Sequence, residues 1–581
     1  VVPSKKGSAA ELIKNLDCFK SLRSLAYGKY FLLILCGIFQ TYAVCEPESG
    51  ETRGWLQILC IGVLTLVLQR LCVEKNLDQK KVSQSAFITG FFFALGWLCS
   101  MFWWIYISLH VYGNLPSILA IICVLILSGG LSVYYAIACM VYVKTAEKLN
   151  RFAKALLLAA LWSVAELARA QWFTGFPWGA VGYAHLEDPL KLLVPYIGVY
   201  GVGGLACLLG AYLGLTIHAY SENLKLFSSK NTSQHLTLIS KKKLIRIAAL
   251  DCLAVLVVLS AGFSAPQLIK DFEREEDKIF ANQYTNTFTY SLLQANISQD
   301  IKYSNQGLLA LDWYKEKILH ADSDWIITPE TALPVLQGRI SKSYWNEITK
   351  LSAGNEGGQA LLLGIIGDVK DEKNHQQGYA NTVLGINSSG IEYRYDKYHL
   401  VPFGEFVPPW FEWFTRMLNV PMGSFTKGDL PQPSWNWKGQ IVAVNICYED
   451  LFGEELAKSF SKDETRNPTF LVNVSNIAWF GPLLAVEQHL NASRMRAIEL
   501  HRPLLRATNT GATAQIDEHG YVVSKLTKYT QGVLSGQLKG LVGAPTPYAL
   551  WSGAYSLAPL WVACVFYIAL CIWVGKFQKK N

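Results

Sequence analysis

Between residues 265 and 545 the chain has almost no cysteine: of thirteen in the whole sequence, only Cys447 falls there. A lone thiol cannot close a disulfide within its own segment, so an internal disulfide framework is excluded for that half. Charge is also scarce, with Asp, Glu, Lys and Arg at 17% against 51% apolar residues. No Gly-rich phosphate loop is present, which argues against a nucleotide cofactor. No set of residues has metal-ligand spacing, which argues against metal catalysis, so no cofactor and no metal are expected. No internal repeat is evident and few charges interrupt the apolar runs, so a transporter or receptor with an outer ligand-binding domain ranks low. The first 28 residues are polar, and the apolar run after them is the first of many, so no cleavable signal peptide is evident.

What is present falls into two populations. A hydrocarbon core of about 30 Å needs about 20 mostly apolar helical residues. Such runs lie near 29–45, 55–72, 86–108, 117–142, 155–171, 192–220 and 246–264, with an eighth near 558–575. The first two are short and are the weakest part of the count. Stretches such as FFFALGWLCSMFWW make buried helices of a soluble protein a poor explanation. Lys and Arg alternate between loops. They crowd the N-terminal tail (Lys5, Lys6, Lys14, Lys20, Arg23), then Lys75, Lys80 and Lys81, then Lys144, Lys148, Arg151 and Lys154, then Lys241, Lys242, Lys243 and Arg246, and finally Lys576, Lys579 and Lys580. The loops between these sets carry little positive charge. By the positive-inside rule both termini face the cytoplasm, and seven crossings put 265–545 outside. The net charge of +8 therefore reads as topology charge, and no nucleic-acid partner is expected. The expected organisation is a cytoplasmic tail over 1–28, seven transmembrane helices over 29–264, an extracytoplasmic domain over 265–545 and a last helix with its tail over 546–581. Glu166 and Arg169, three apart near the outer end of the fifth run, read equally as a functional pair or as a self-satisfied ion pair.

Within 265–545, β-like runs (FTYSLLQA, DWIITP, ALLLGIIG, QIVAVNI, TFLVNVS, LLRAT) alternate with amphipathic stretches around 305–320, 340–352 and 482–500. That alternation indicates an α/β domain. Cys447 ends the run IVAVNI and precedes Tyr448, Glu449 and Asp450. Strand ends are where sites form in such domains, but a lone buried Cys is as often inert, and position alone leaves both readings open. Glu330 in DWIITPETALP is a first-turn helix acid or a site residue. Lys397 in YRYDKYHLVPFGEF is a solvated loop lysine or a third member of the site.

Together, PETALP, YDKYHLVPFGEFVP and NICYED resemble the nitrilase superfamily, whose catalytic set is Glu, Lys and Cys in that order. Joined to eight apolar runs, and with FTGFPWGAVGYA before the sixth run, SNIAWFG (475–481) and RMRAIELHRPLLRATNTG (494–511), the chain resembles the apolipoprotein N-acyltransferase family over nearly its whole length. The resemblance implies an αββα sandwich inserted into a polytopic helical membrane protein of the bacterial inner membrane, with the sandwich in the periplasm. It implies a ping-pong N-acyltransferase. Cys447 would take an acyl chain from a phospholipid as a thioester and pass it to the α-amino group of a diacylglyceryl-cysteine at an apolipoprotein N-terminus. Glu330 would be the proton acceptor and Lys397 would face the oxyanion, with a backbone N–H after Cys447 as a second donor. Glu405 and Glu449 would orient Lys397 and the amine, Tyr448 would lie beside the nucleophile, and Trp410 and Trp413 would sit in a lipid-facing arm or simply pack it. One departure stands out: the family usually has an acid where this chain has Ile477. A membrane-tethered amidase using water shares the same triad. A Cys–His hydrolase through His399 or His489 has no motif behind it.

Overall fold

In the computed structural model the described residues are 26–73, 78–228, 267–280, 283–299, 308–350, 358–370, 377–408, 425–482 and 484–580. The apolar runs fold as helices because a chain without water must satisfy its own N–H and C=O groups. They are α1 (Ala26–Val44), α2 (Gly54–Val73), α3 (Gln79–Phe102), α4 (Ser117–Thr145), α5 (Arg151–Gln171) and α6 (Val194–Ser228), joined near the C-terminus by Ala558–Lys580. Five of these are long and apolar enough to cross a membrane: α2, α3, α4, the 189–222 segment containing most of α6, and 558–577. The run at 246–264 lies outside the described residues. Large apolar side chains such as Ile118, Ile126, Val562 and Phe566 stand 68–71% exposed on these helices. An uncovered apolar belt of this kind is matched to lipid rather than water.

Helix α6 is broken at Gly198, whose φ of +65° only glycine adopts freely. A Cβ there would also lie 2.2 Å from the Tyr548 ring, so the close approach of residues 547–555 needs the missing side chain.

The second half is built on two sheets. One has the order β13-β1-β2-β4-β5-β6, with β3 (Leu333–Leu336) beside β4. Its other strands are β1 (Gln283–Gln294), β2 (Trp325–Ile327), β4 (Ala360–Lys370), β5 (Gln377–Asn387), β6 (Gly390–Asp396) and β13 (Gly532–Val542). The other has the order β12-β11-β10-β9-β8-β7. Its strands are β7 (Trp435–Trp437), β8 (Gln440–Ile446), β9 (Phe470–Ser475), β10 (Leu504–Thr508), β11 (Ala514–Ile516) and β12 (Val522–Lys525). The inner strands β1, β2 and β4, and β8, β9 and β10, run parallel, and the outer pairings are antiparallel. Phe288, Trp325, Trp435, Val442 and Phe470 fill the space between the sheets. On the far side of the first sheet, Tyr314 and Ile318 of α8 (Leu308–Leu319, after α7 at 267–280) and Ile348 of α9 (Lys342–Lys350) pack on Ile326, Leu361 and Leu363.

The helix α10 (Leu484–Leu500) departs from its expected amphipathic character: every residue on it is buried. Val486, Leu490 and Ala497 join the sandwich core, whereas Ala485, Ala492 and Met495 join the core of the membrane helices. Its polar side chains are covered by both halves and not by water: Gln488, Asn491 and Glu499 bond to Trp178, Gly50 and Val199 of the membrane half, and His489, Ser493 and Arg496 to the sandwich. The chain ends in α11 (Pro547–Tyr555) and α12 (Ala558–Lys580).

Candidate active site

Four strand ends converge. The chain leaves β2 into Glu330, β6 into Lys397, β8 into Cys447 and β9 into Asn476. Side chains fixed by flanking strands are placed more exactly than loop side chains, and all three expected residues are at most 8% exposed. Cys447 is left-handed, with φ of +53°, at the turn from β8 into a short 3-10 segment, Cys447–Leu451. Backbone held there by a non-glycine residue is strained, and such strain gathers at functional sites.

Lys397 Nζ donates to Glu330 Oε1 at 3.2 Å and to Glu405 Oε1 at 2.9 Å. Asn381 Nδ2 donates to the same two oxygens, at 2.7 and 2.8 Å, and the Asn381 carbonyl accepts from Lys397 N. Glu405 is fixed from behind by the Val401 N–H at 2.9 Å. The other oxygen of Glu330 accepts from the Asn476 N–H at 2.7 Å. Burial alone would depress the Lys397 ammonium, but Glu330 and Glu405 outweigh it and hold the pKa above the usual lysine range. Burial pushes the Cys447 thiol up to about 12, reinforced by Glu330 and opposed by Lys397 and by the same Asn476 N–H. The thiol, the carboxylate and the ammonium therefore share one electrostatic cluster.

Glu449 acts elsewhere than expected. Its Oε1 accepts from the Tyr398 and His399 N–H groups at 2.7 and 3.1 Å, and its Oε2 from Ile446 N and Tyr395 Oη. It staples the segment after Lys397 to the strand before Cys447, with no bond to the ammonium itself among its described hydrogen bonds. Burial raises it to about 7 despite opposition from the Ile446 N–H, from Lys397 and from the His399 N–H. Tyr448 lies beside the nucleophile, but its hydroxyl donates to Gly175 O at 3.0 Å in the FTGFPWG loop. That loop packs over the site. Phe176 stacks on Tyr448, Trp178 Nε1 donates to Gln488 at 2.5 Å, and Thr174 O lies 2.8 Å from His399 Nε2. Gly175 has φ of +80°, and a Cβ there would sit 2.0 Å from Ala170 O.

Glu166 and Arg169 do form an ion pair, at 3.2 Å, but not a self-contained one. Arg169 Nη1 donates to the carbonyls of Phe176 and Trp178 at 2.8 and 2.7 Å, and Glu166 Oε2 accepts from Val181 N at 3.1 Å. The pair pins the loop to α5.

Trp410 and Trp413 lie outside the described residues. Ile477 is fully buried among sandwich residues, so this position is apolar packing here. The two candidate histidines are engaged away from the thiol. His399 lies between Glu455 and Thr174 O, and His489 between Arg506 and the backbone carbonyl of Cys447. Asn381, Asn476, His489 and Arg506 went unrecognised as site residues; of these, His489 alone had drawn notice, as a candidate base. Among the described residues, one His/Asp/Glu group has ligand atoms within 4.8 Å of one another: Asp277, Glu518 and His519. Ion pairs of Asp277 with His519 and His501, at 3.1 and 3.4 Å, already account for it.

A family profile described as the apolipoprotein N-acyltransferase N-terminal domain matches residues 51–212, and the carbon–nitrogen hydrolase profile matches 291–544. The apolipoprotein N-acyltransferase of Verminephrobacter eiseniae is 40% identical over 545 residues, covering 92% of this chain and 94% of that protein. The protein of the same name from Ralstonia nicotianae is 36% identical, covering 90% of each chain. Among solved structures, a carbon–nitrogen hydrolase superfamily protein from Xanthomonas campestris aligns with 47% of this chain and 96% of its own, at 18% identity and a TM-score of 0.31. A nitrilase-superfamily member from Saccharomyces cerevisiae aligns with 48% of this chain and 97% of its own, at 16% identity and a TM-score of 0.32.

Proposed function

The chain belongs to the apolipoprotein N-acyltransferase family, and from that premise we propose that Cys447 carries the acyl group, Glu330 moves the protons and Lys397 receives the oxyanion. The protein is an acyltransferase that N-acylates lipoproteins, built as a multi-pass membrane protein with a nitrilase-type domain. The observation that carries the assignment of roles is the Asn476 N–H. It donates to Glu330 and also lowers the Cys447 thiol, so base and nucleophile lie against one donor.

A thiol at about 12 is thiolate in only about one molecule in 10⁵ at neutral pH, so Cys447 needs a base at the moment of attack. Glu330 accepts the thiol proton as sulfur bonds to the ester carbonyl carbon of a phospholipid. The oxyanion is met by Lys397 Nζ and the Tyr448 N–H, donors of a kind worth about 2.7–4 kcal/mol each. Collapse breaks the ester C–O bond. Glu330 returns the proton to the departing lysophospholipid oxygen, and a thioester remains on Cys447. The free α-amine of a diacylglyceryl-cysteine then attacks the thioester carbonyl. Glu330 takes one amine proton, the C–S bond breaks, and the proton passes to the thiolate as the amide forms. Lys397 stays charged throughout, because Glu330 and Glu405 hold it so.

An ester donor resident in the bilayer is supported by the aromatic loop from the membrane half that packs on Tyr448 and His489, beside the nucleophile. The alternation of Lys and Arg along the loops supports cytoplasmic termini and a periplasmic catalytic domain in the bacterial inner membrane.

The test is mass spectrometry of detergent-purified protein with phospholipid, comparing wild type with Cys447→Ala and Glu330→Gln. The expected result is a fatty-acyl adduct on Cys447 in wild type alone, discharged by a diacylated peptide amine. An adduct discharged only by water would replace the transferase with a tethered hydrolase, and no adduct would overturn covalent transfer.

A further inference from the structure

The buried histidine on α10 is engaged by neither half of the reaction above, yet it touches the backbone of the nucleophile. His489 is fully buried, and its Nε2 lies 3.1 Å from the Cys447 carbonyl oxygen. Its Nδ1 lies 2.5 Å from Arg506 Nη2. A guanidinium can only donate, so Nδ1 must be the unprotonated nitrogen. The one ring proton then sits on Nε2, where it is donated to the carbonyl. Charging the ring would place a second cation against Arg506. Burial and the Arg506 charge together push its pKa well below the usual histidine value, and the neutral tautomer is the one maintained.

Arg506 is itself held on every side. It donates to Asn473 Oδ1 at 3.0 Å, Ser493 Oγ at 2.8 Å and Ala512 O at 3.1 Å, and pairs with Asp450 at 3.3 Å. Asp450 is fixed in turn by Asn445 Nδ2 and by the Ser493 hydroxyl. On its open side the imidazole packs against Trp178 of the FTGFPWG loop, with ring centroids 5.5 Å apart. The carbonyl has one other described side-chain donor, Asn473 Nδ2, at the long distance of 3.5 Å.

A peptide unit is planar, and in the trans form its C=O and N–H point in opposite directions. The unit that begins with the Cys447 carbonyl ends with the Tyr448 N–H and is not one of the cis peptides of this chain. Fixing the carbonyl therefore fixes the N–H. That control matters because Cys447 is left-handed, a conformation its side chain does not favour, so the peptide needs an external hold.

We propose that His489 is a positioning residue for acyl transfer: held by Arg506, it clamps the Cys447 carbonyl so that the Tyr448 N–H faces the acyl oxyanion. The proposal rests on Cys447 being the acylated nucleophile. It also gives the membrane loop a place in the chemistry, since Trp178 seats the ring that aims the donor.

The test compares full-length wild type, His489→Ala and His489→Gln in mixed micelles of detergent and phosphatidylethanolamine. Two rates are read at Cys447: acyl-enzyme formation by mass spectrometry, and alkylation by iodoacetamide, which passes through no oxyanion. Removing an aimed oxyanion donor costs about 10²–10³ in rate, so His489→Ala should slow acylation by that order while alkylation stays within about threefold. Gln, whose amide N–H reaches toward the same carbonyl, should recover acylation to within about tenfold of wild type. Acylation by His489→Ala at the wild-type rate would overturn the clamp and leave the nucleophile assignment standing. Parallel loss of acylation and alkylation, with Gln no better than Ala, would reduce His489 to a packing residue. A wild-type protein that alkylates but never acylates would remove the nucleophile assignment itself, and the clamp with it.

Discussion

Replacing Lys397 by Met should reveal that the site stores repulsion between two buried carboxylates. In the wild type, Glu330 Oε1 and Glu405 Oε1 accept from the same ammonium, at 3.2 and 2.9 Å, and from the same Asn381 amide, at 2.7 and 2.8 Å. Two oxygens that each touch one nitrogen, through two different amide protons, are about 5 Å apart. With the ammonium gone, two like charges at that separation repel by about 3–4 kcal/mol at an effective dielectric of about 20. A neutral amide cannot offset this, so one carboxylate keeps a proton in the folded variant. A carboxyl held protonated by folding adds stability at low pH, and that stability is lost as pH rises toward and above neutrality. The midpoint of thermal unfolding in detergent should therefore fall further for Lys397→Met at pH 8 than at pH 5. The gap should exceed that of the wild type, in which the ammonium lies between the two carboxylates, by up to about 3 kcal/mol. Acyl-Cys447 formation should fall by about 10²–10³ at either pH. An equal loss of stability at both pH values would refute the shared-ammonium argument, and near wild-type acylation would refute the role given to Lys397.

Other expectations follow from the same contacts. Glu449→Gln places an amide N–H₂ against either the Tyr398 and His399 donors or the Ile446 and Tyr395 donors. A cost of about 1–3 kcal/mol is expected in thermal unfolding, with slower acylation as the Lys397 segment loosens. Arg169→Lys offers three donors where Arg169 serves four partners, Tyr135, Glu166 and the Phe176 and Trp178 carbonyls, so at least one of them loses its donor. A loss of about 1–3 kcal/mol is expected, together with easier proteolysis of the FTGFPWG loop. The Cys447 thiol, pushed up to about 12, should be alkylated about tenfold faster with each pH unit from 7 to 10, without the levelling above a midpoint of about 8.5 shown by an ordinary cysteine; levelling in that range would contradict the burial argument. The same shift adds stability below the unfolded thiol pKa and loses it as pH rises above that value.

The parallel inner strands were readable because they are buried on both faces and form short, mostly apolar runs: QIVAVNI and LLRAT match β8 and β10 to the residue. β5 and β13 were missed, although each is 11 residues long, because QGYANTVLGIN and GVLSGQLKGLV mix Gly, Asn and Gln into antiparallel strands. Their identity is fixed by pairing partners far along the chain, which no local window contains. Glu330, Lys397 and Cys447 were legible through ordered motifs and not through local physics, for each had an ordinary explanation at its own position. Asn381 had no such signal, since an Asn inside a strand looks like a weakness until the two carboxylates are seen around it. The polar face of α10 misled for a related reason. Arg494, Arg496 and Glu499 belong to a stretch whose amphipathic pattern implies a solvated face, yet Glu187, Asp450 O and Val199 N cover them.

The burial of α10 on all sides also bears on how the molecule is made. A helix whose Arg494 and Glu499 reach partners in the membrane half, Glu187 and Val199 N, cannot complete its fold before that half exists. Translation supplies the parts in the required sequence. Val199 and the Trp178 loop leave the ribosome hundreds of residues before Leu484, so a finished surface waits for the helix as it emerges. Severed from residues 26–228, the sandwich would present Arg494, Arg496, Glu499 and the apolar flank of Ala485, Ala492 and Met495 to water, a surface suited to aggregation. The hydrolase-like half is in this sense a client of the membrane helices, which serve it as an intramolecular chaperone as well as an anchor.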